Sequence, residues 1–201
     1  MKKHLYPLIV FAVALALRLY PTLISGMPFS TDAWPSVKTA ELIMEYTPLR
    51  LGDNSIFDGY TNYWPAGSLF GAAISKLTSI PVIETMAILA PIAGAATVLI
   101  FYMLVKRLFN AEISLVASLF FGTSFTHAFF TAGVTKETFA NPIYLAVLMV
   151  FLDPKTSKQK TALLAYVMLS AILAMSHHLT SIIAITILTS ITLGNLVTNI
   201  R

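Results

Sequence analysis

The chain has 201 residues, of which 57% are hydrophobic and 11% charged, with a mean hydropathy of +0.78. A water-soluble fold cannot hide that much apolar surface, so the composition is that of a membrane protein. The net charge of +4 would admit a nucleic-acid partner, but the lysines and arginines lie scattered between apolar runs and form no basic face with interleaved aromatics, which argues against one. Cysteine is absent, which excludes disulfides, thiolate nucleophiles and thiolate metal sites and leaves carboxylates, histidines, lysines and hydroxyls for any chemistry.

A hydrocarbon core about 30 Å thick calls for roughly 20 mostly apolar residues per helical span. In chain order, six stretches offer this, at about 5–25, 82–105, 113–131, 139–152, 161–176 and 179–198. The fourth and fifth are short, with Pro142 expected in the first turn of the fourth, where a missing N–H matters little. The expected fold is therefore all-α and polytopic, one domain over 1–201, with a large first loop at 26–81. Within that loop Thr31 or Asp32 can cap a helix with Pro35 in its first turn and Val37, Ala40, Leu42, Ile43 and Met44 on its apolar side. Such a helix would lie along the membrane surface. The apolar run at 67–80 is short and carries Lys76, which predicts a re-entrant or interfacial helix. The basic start and apolar run at 1–26 also resemble a signal peptide, although Arg18 inside the run argues against one.

Cation placement sets the orientation, because cytoplasmic loops are rich in Lys and Arg. With the amino terminus inside, Lys2, Lys3, Lys106, Arg107, Lys155, Lys158, Lys160 and Arg201, eight of the thirteen cations, fall on the cytoplasmic side. Asp32, Glu41, Glu45, Asp53, Asp58, Glu84 and Glu137, seven of the nine acids, fall outside. This predicts a multi-pass plasma-membrane protein with a cytoplasmic amino terminus.

Four stretches carry a family resemblance: "STDAW" after the first apolar run, then "YTNYWPAGSLFGAAISKL", "IETMAILAPIAGAATVLIFYMLVKRLF" and "FFTAGVTKETFANPIYLAVL". Together they resemble the amino-terminal half of GT-C polyprenyl-phosphate-dependent glycosyltransferases, and within that class the archaeal oligosaccharyltransferase catalytic subunit and the protein mannosyltransferases. The resemblance runs over nearly the whole chain but over only the first half of such an enzyme, as expected of a fragment of a longer protein, a truncated gene product or a minimal homologue. It also implies a membrane glycosyltransferase that moves a sugar from a polyprenyl (dolichyl) phosphate-linked donor to an acceptor on the external face, the acceptor being unidentified. Asp32 takes the place of the acidic residue in the first external loop, and Glu137, preceded by Lys136, that of the second acidic site. The chain departs from the family in having a single Asp at the first site, Lys–Glu at the second and no tryptophan-rich WWDYG-like acceptor motif, so binding of a glycosylation sequon is not implied.

Transfer from a lipid-linked phosphate develops positive charge at the sugar and negative charge on the leaving phosphate, so carboxylates and cations are both required. Asp32 and Glu137 are the expected catalytic residues, as a base or as ligands of a divalent cation, Mg or Mn. Lys136, Arg18, Arg50, His177 and His178 are the candidates for the lipid phosphate or substrate. Each has a simpler reading beside it. Asp32 can be a helix cap, Lys136–Glu137 a solvated pair, His177–His178 a polar turn, His127 a packed ring, and Arg18 a side chain reaching the headgroups. A transporter is the main alternative, because Pro91 or Gly94 could mark a broken helix, and a noncatalytic membrane subunit is a third. No phosphate-cradling glycine loop, zinc spacing, nucleophile elbow or internal repeat is present.

Overall fold

The computed structural model describes residues 3–46, 62–153 and 159–199, and everything described is helix or connection. After a turn of 3-10 helix at Lys3–Leu5, the elements are α1 (Tyr6–Ser25), α2 (Ala33–Glu45), α3 (Ala66–Thr78), α4 (Val82–Leu108), α5 (Ala111–Thr123), α6 (Phe125–Ala132), α7 (Lys136–Phe151), α8 (Lys160–Ser176) and α9 (His178–Asn199).

Among the described residues three helices are long and apolar enough to cross a membrane, at Lys3–Ser25, Val82–Leu108 and His178–Thr198, and the bent pair α5–α6 makes a fourth if it counts as one span. Six spans were expected. At 16 and 17 residues, α7 and α8 reach only about 25 Å, below the hydrocarbon thickness. Helix α7 ends at Phe151, capped by Leu152, and α8 ends before His177, where the backbone becomes extended. The third apolar stretch is also discontinuous, since α5 and α6 meet at Ser124 with a bend of 64°. Pro91 and Gly94, by contrast, lie inside an uninterrupted α4. Pro142 is not in a first turn. The Thr135 hydroxyl caps α7 by accepting from the Thr138 N–H, so the helix begins earlier than its apolar run and carries the proline in its interior.

The helices gather at two ends. At one, Lys3 before α1 pairs with Glu112 at the start of α5 at 2.5 Å, and Arg107 at the end of α4 pairs with Asp153 after α7 at 3.2 Å. At the other, the segment after α1 meets the α6–α7 connection, where the Val134 N–H donates to the Phe29 carbonyl at 3.1 Å. This second end is built on a buried cluster shared by α2 (Ala33, Val37, Ala40, Ile43), α3 (Ala72), α4 (Val82, Met86, Ala90) and the start of α7 (Phe139). So α2 is amphipathic, with Val37, Ala40 and Ile43 packed on protein as expected, while Met44, expected on the same side, is exposed and Lys38 and Glu41 pair on the exposed side.

Between the ends, α1 packs on α4 and α5 through Tyr6, Val10, Ala14, Ala95, Val98 and Tyr102. Arg18 is on this inward stripe and fully buried. Its guanidinium donates to Thr131 Oγ1 (2.7 Å), the Ala14 and Gly122 carbonyls (3.0 and 3.1 Å) and His127 Nδ1 (2.8 Å). Arginine only donates, so the His127 ring presents its Nδ1 lone pair. The ring also stacks on Phe121 at 3.9 Å. Gly94 makes room for this, because a Cβ there would run into the Thr131 carbonyl and the Arg18 side chain.

Candidate functional site

Asp32 stands in the N-cap position of α2, but its carboxylate makes no capping hydrogen bond. The turn before it is shaped by backbone. Ser30 adopts φ +84°, its hydroxyl accepts from the Asp32 N–H, and Gly133 fits against Ser30 so closely that a Cβ would collide with it. Asp32 thus remains exposed, at the positive end of a helix that favours its charge. It lines a cavity of about 620 Å³ with Met27, Phe29, Trp34, Phe129, Phe130 and Thr135.

Thr135 is also the residue before Lys136, so the α7 amino terminus arrives beside this cavity. Thr138 holds the connection in place by donating to the Gly133 carbonyl at 2.8 Å. Lys136 is half-buried, 5.6 Å above the Trp64 ring. Burial pulls its ammonium down to about 8, and the nearby Glu137 and Asp32 carboxylates oppose that shift. One lysine therefore lies in the field of both predicted acidic residues. Glu137 pairs with His177, Oε1 to Nε2 at 3.1 Å. His178, next along, packs on Trp64 at 4.7 Å and on His177 at 4.9 Å.

Asp32, Lys136, Glu137, His177 and His178 are thereby brought to one end of the molecule. Arg18 is not among them: its donors are directed at α1, α5 and α6, so it neither reaches a headgroup nor is offered to a phosphate. Arg50 lies outside the described residues. For a divalent cation the fit is poor. Among the described residues no group of three or more histidine or acidic side chains is arranged to hold a metal ion, and no step is derived through Mg or Mn. Trp64 and Thr180 were missed by the sequence reading. Trp64 falls in the first loop with no spacing that marks it, and His177-x-x-Thr180 has the spacing of a helix cap without a usual capping residue. Comparison with family models, curated proteins and solved structures finds no match.

Proposed function

We propose that the chain belongs to a membrane glycosyltransferase, taking a sugar from a polyprenyl-phosphate-linked donor on the external face of the plasma membrane. The observation that carries this reading is an apolar cavity whose wall holds both Asp32 and Thr135, the residue before the half-buried Lys136 and two before Glu137. Lys136 would meet the phosphate as a point charge as it departs, Asp32 would accept the acceptor's proton, and Glu137 would stabilise positive charge at the sugar. The cavity aromatics suit an apolar chain, and the bundle presents them at a helix-end rim where a lipid can enter.

The bend of 64° between α5 and α6 favours a transporter, since broken helices line many transport sites. Against it, the Arg18 guanidinium at the bend is committed to protein carbonyls, the Thr131 hydroxyl and His127 Nδ1.

The test is donor turnover. The full chain in lipid nanodiscs is incubated with dolichyl phosphate mannose, and release of dolichyl phosphate is followed. Asp32→Asn removes the charge and keeps a good N-cap residue, so it should fold normally and lose at least about tenfold in rate, the lower range for a lost base or ligand. Undiminished release by the Asn variant, or none by the wild type, would refute the reading.

A further inference from the structure

We infer that His177 is a positioning residue for Glu137 and not a phosphate ligand, and that it holds this carboxylate by serving at the same time as the N-cap of α9. His177 is 4% exposed and lies in extended backbone between α8 and α9. Both ring nitrogens are engaged. Nδ1 faces the Thr180 hydroxyl at 2.8 Å and accepts from the Thr180 N–H at 3.4 Å, three residues on, the geometry in which a Ser or Asp side chain caps a helix. Nε2 faces Glu137 Oε1 at 3.1 Å. A backbone N–H can only donate and a carboxylate can only accept, so the two contacts together require the neutral ring protonated on Nε2. The cap fixes the tautomer, and the tautomer fixes which group faces Glu137.

The break around the ring is closed by Ser181, whose hydroxyl reaches the Leu173 and His177 carbonyls at 3.1 and 2.8 Å. Buried and bonded on both sides, the ring has no nitrogen to offer a ligand. Glu137 has one oxygen held while its side chain stays 52% exposed, so it is the member of the pair that can meet a substrate. Charged and titratable groups around the pair are Lys136 on α7 and His178 on α9. What Glu137 does with a substrate rests on the glycosyl-transfer reading; how it is held does not.

Two isosteric half-replacements separate the roles. Asn in place of His177 puts an acceptor where Nδ1 was and keeps the cap, but is too short to reach Glu137. Gln puts an N–H where Nε2–H was and gives up the cap. The full chain, labelled with 15N-histidine in micelles at pH 7.5, should show a His177 ring protonated on Nε2 and bare on Nδ1. Glu137→Gln should shift its Nε2 resonance. His177→Asn should melt with the wild type yet release dolichyl phosphate about tenfold more slowly, whereas His177→Gln should melt lower and retain more activity than the Asn variant. A ring protonated on Nδ1, a His177 signal indifferent to Glu137→Gln, or variant rates that simply follow melting temperature would overturn the inference. If the wild type releases no dolichyl phosphate, the glycosyl-transfer reading fails, and the nitrogen spectra still decide how Glu137 is held.

Discussion

Asp32, Glu137 and His177 show how the role of a residue depends on what its polar atoms are already doing. Asp32 has the sequence position of a cap and none of the capping bonds, so its charge is available. His177 has the sequence look of a reactive histidine and is the group that caps. Burial, reinforced by Lys136 and His178 and opposed by Glu137, lowers the His177 proton affinity below its ordinary value near 6.5. The folded state then binds this proton less well than the unfolded chain. The His177 contribution to stability should therefore be present above about pH 6.5 and be lost as pH falls from there toward the depressed folded value. Thermal melts of the wild type and of His177→Gln, which lacks the cap, should differ at pH 8 and converge by pH 5. A gap that widens on acidification would mean that the ring is held as a cation by Glu137.

At the scale of elements, the bend between α5 and α6 is held by a side chain from a third helix. A break leaves carbonyls without their helical partners, and the Arg18 guanidinium meets one of them, Gly122, while tying Thr131 and His127 on the far side. Arg18→Met should strand these buried acceptors and cost about 3 kcal/mol. Arg18→Lys should recover little, because an ammonium cannot span acceptors on α1, α5 and α6 as a planar fork does. Gly94→Ala intrudes on the same place from α4 and should cost about 1–3 kcal/mol. Melting of the three variants in detergent checks this, and a Gly94→Ala chain as stable as the wild type would show that the helices have slack there. The α5–α6 segment was legible as apolar but not as broken. Ser124 is an unremarkable residue in sequence, and the partner that makes the break tolerable lies 104 residues from Gly122.

For the whole molecule, the cation pattern places seven acids outside, of which Asp53 and Asp58 lie outside the described residues. The two acids expected on the cytoplasmic side, Glu112 and Asp153, are each paired with a cation from the same side, and Asp32 and Glu137 gather at the other end with Lys136. Because the chain lacks cysteine, single cysteines report orientation cleanly. On intact cells an impermeant maleimide should label Thr31→Cys and spare Lys106→Cys, both at exposed positions. The opposite pattern would invert the orientation and with it the face on which the proposed chemistry occurs.

Composition and periodicity were sufficient for an all-helical, membrane-type chain and for α1, α2, α4, α8 and α9 to within a few residues, whereas Asp32, Lys136 and Glu137 were singled out only by the family resemblance. The helices follow from local rules: apolar length, and cap and turn chemistry. The assignment of polar atoms to partners was decided by tertiary packing. Arg18 belongs to a bend, Asp32 is spared capping, and Glu137 is held by a histidine 40 residues further along the chain. Each is a contact between elements distant in sequence, and which of them forms depends on the three-dimensional competition for a small number of buried donors and acceptors, a quantity that no local pattern encodes.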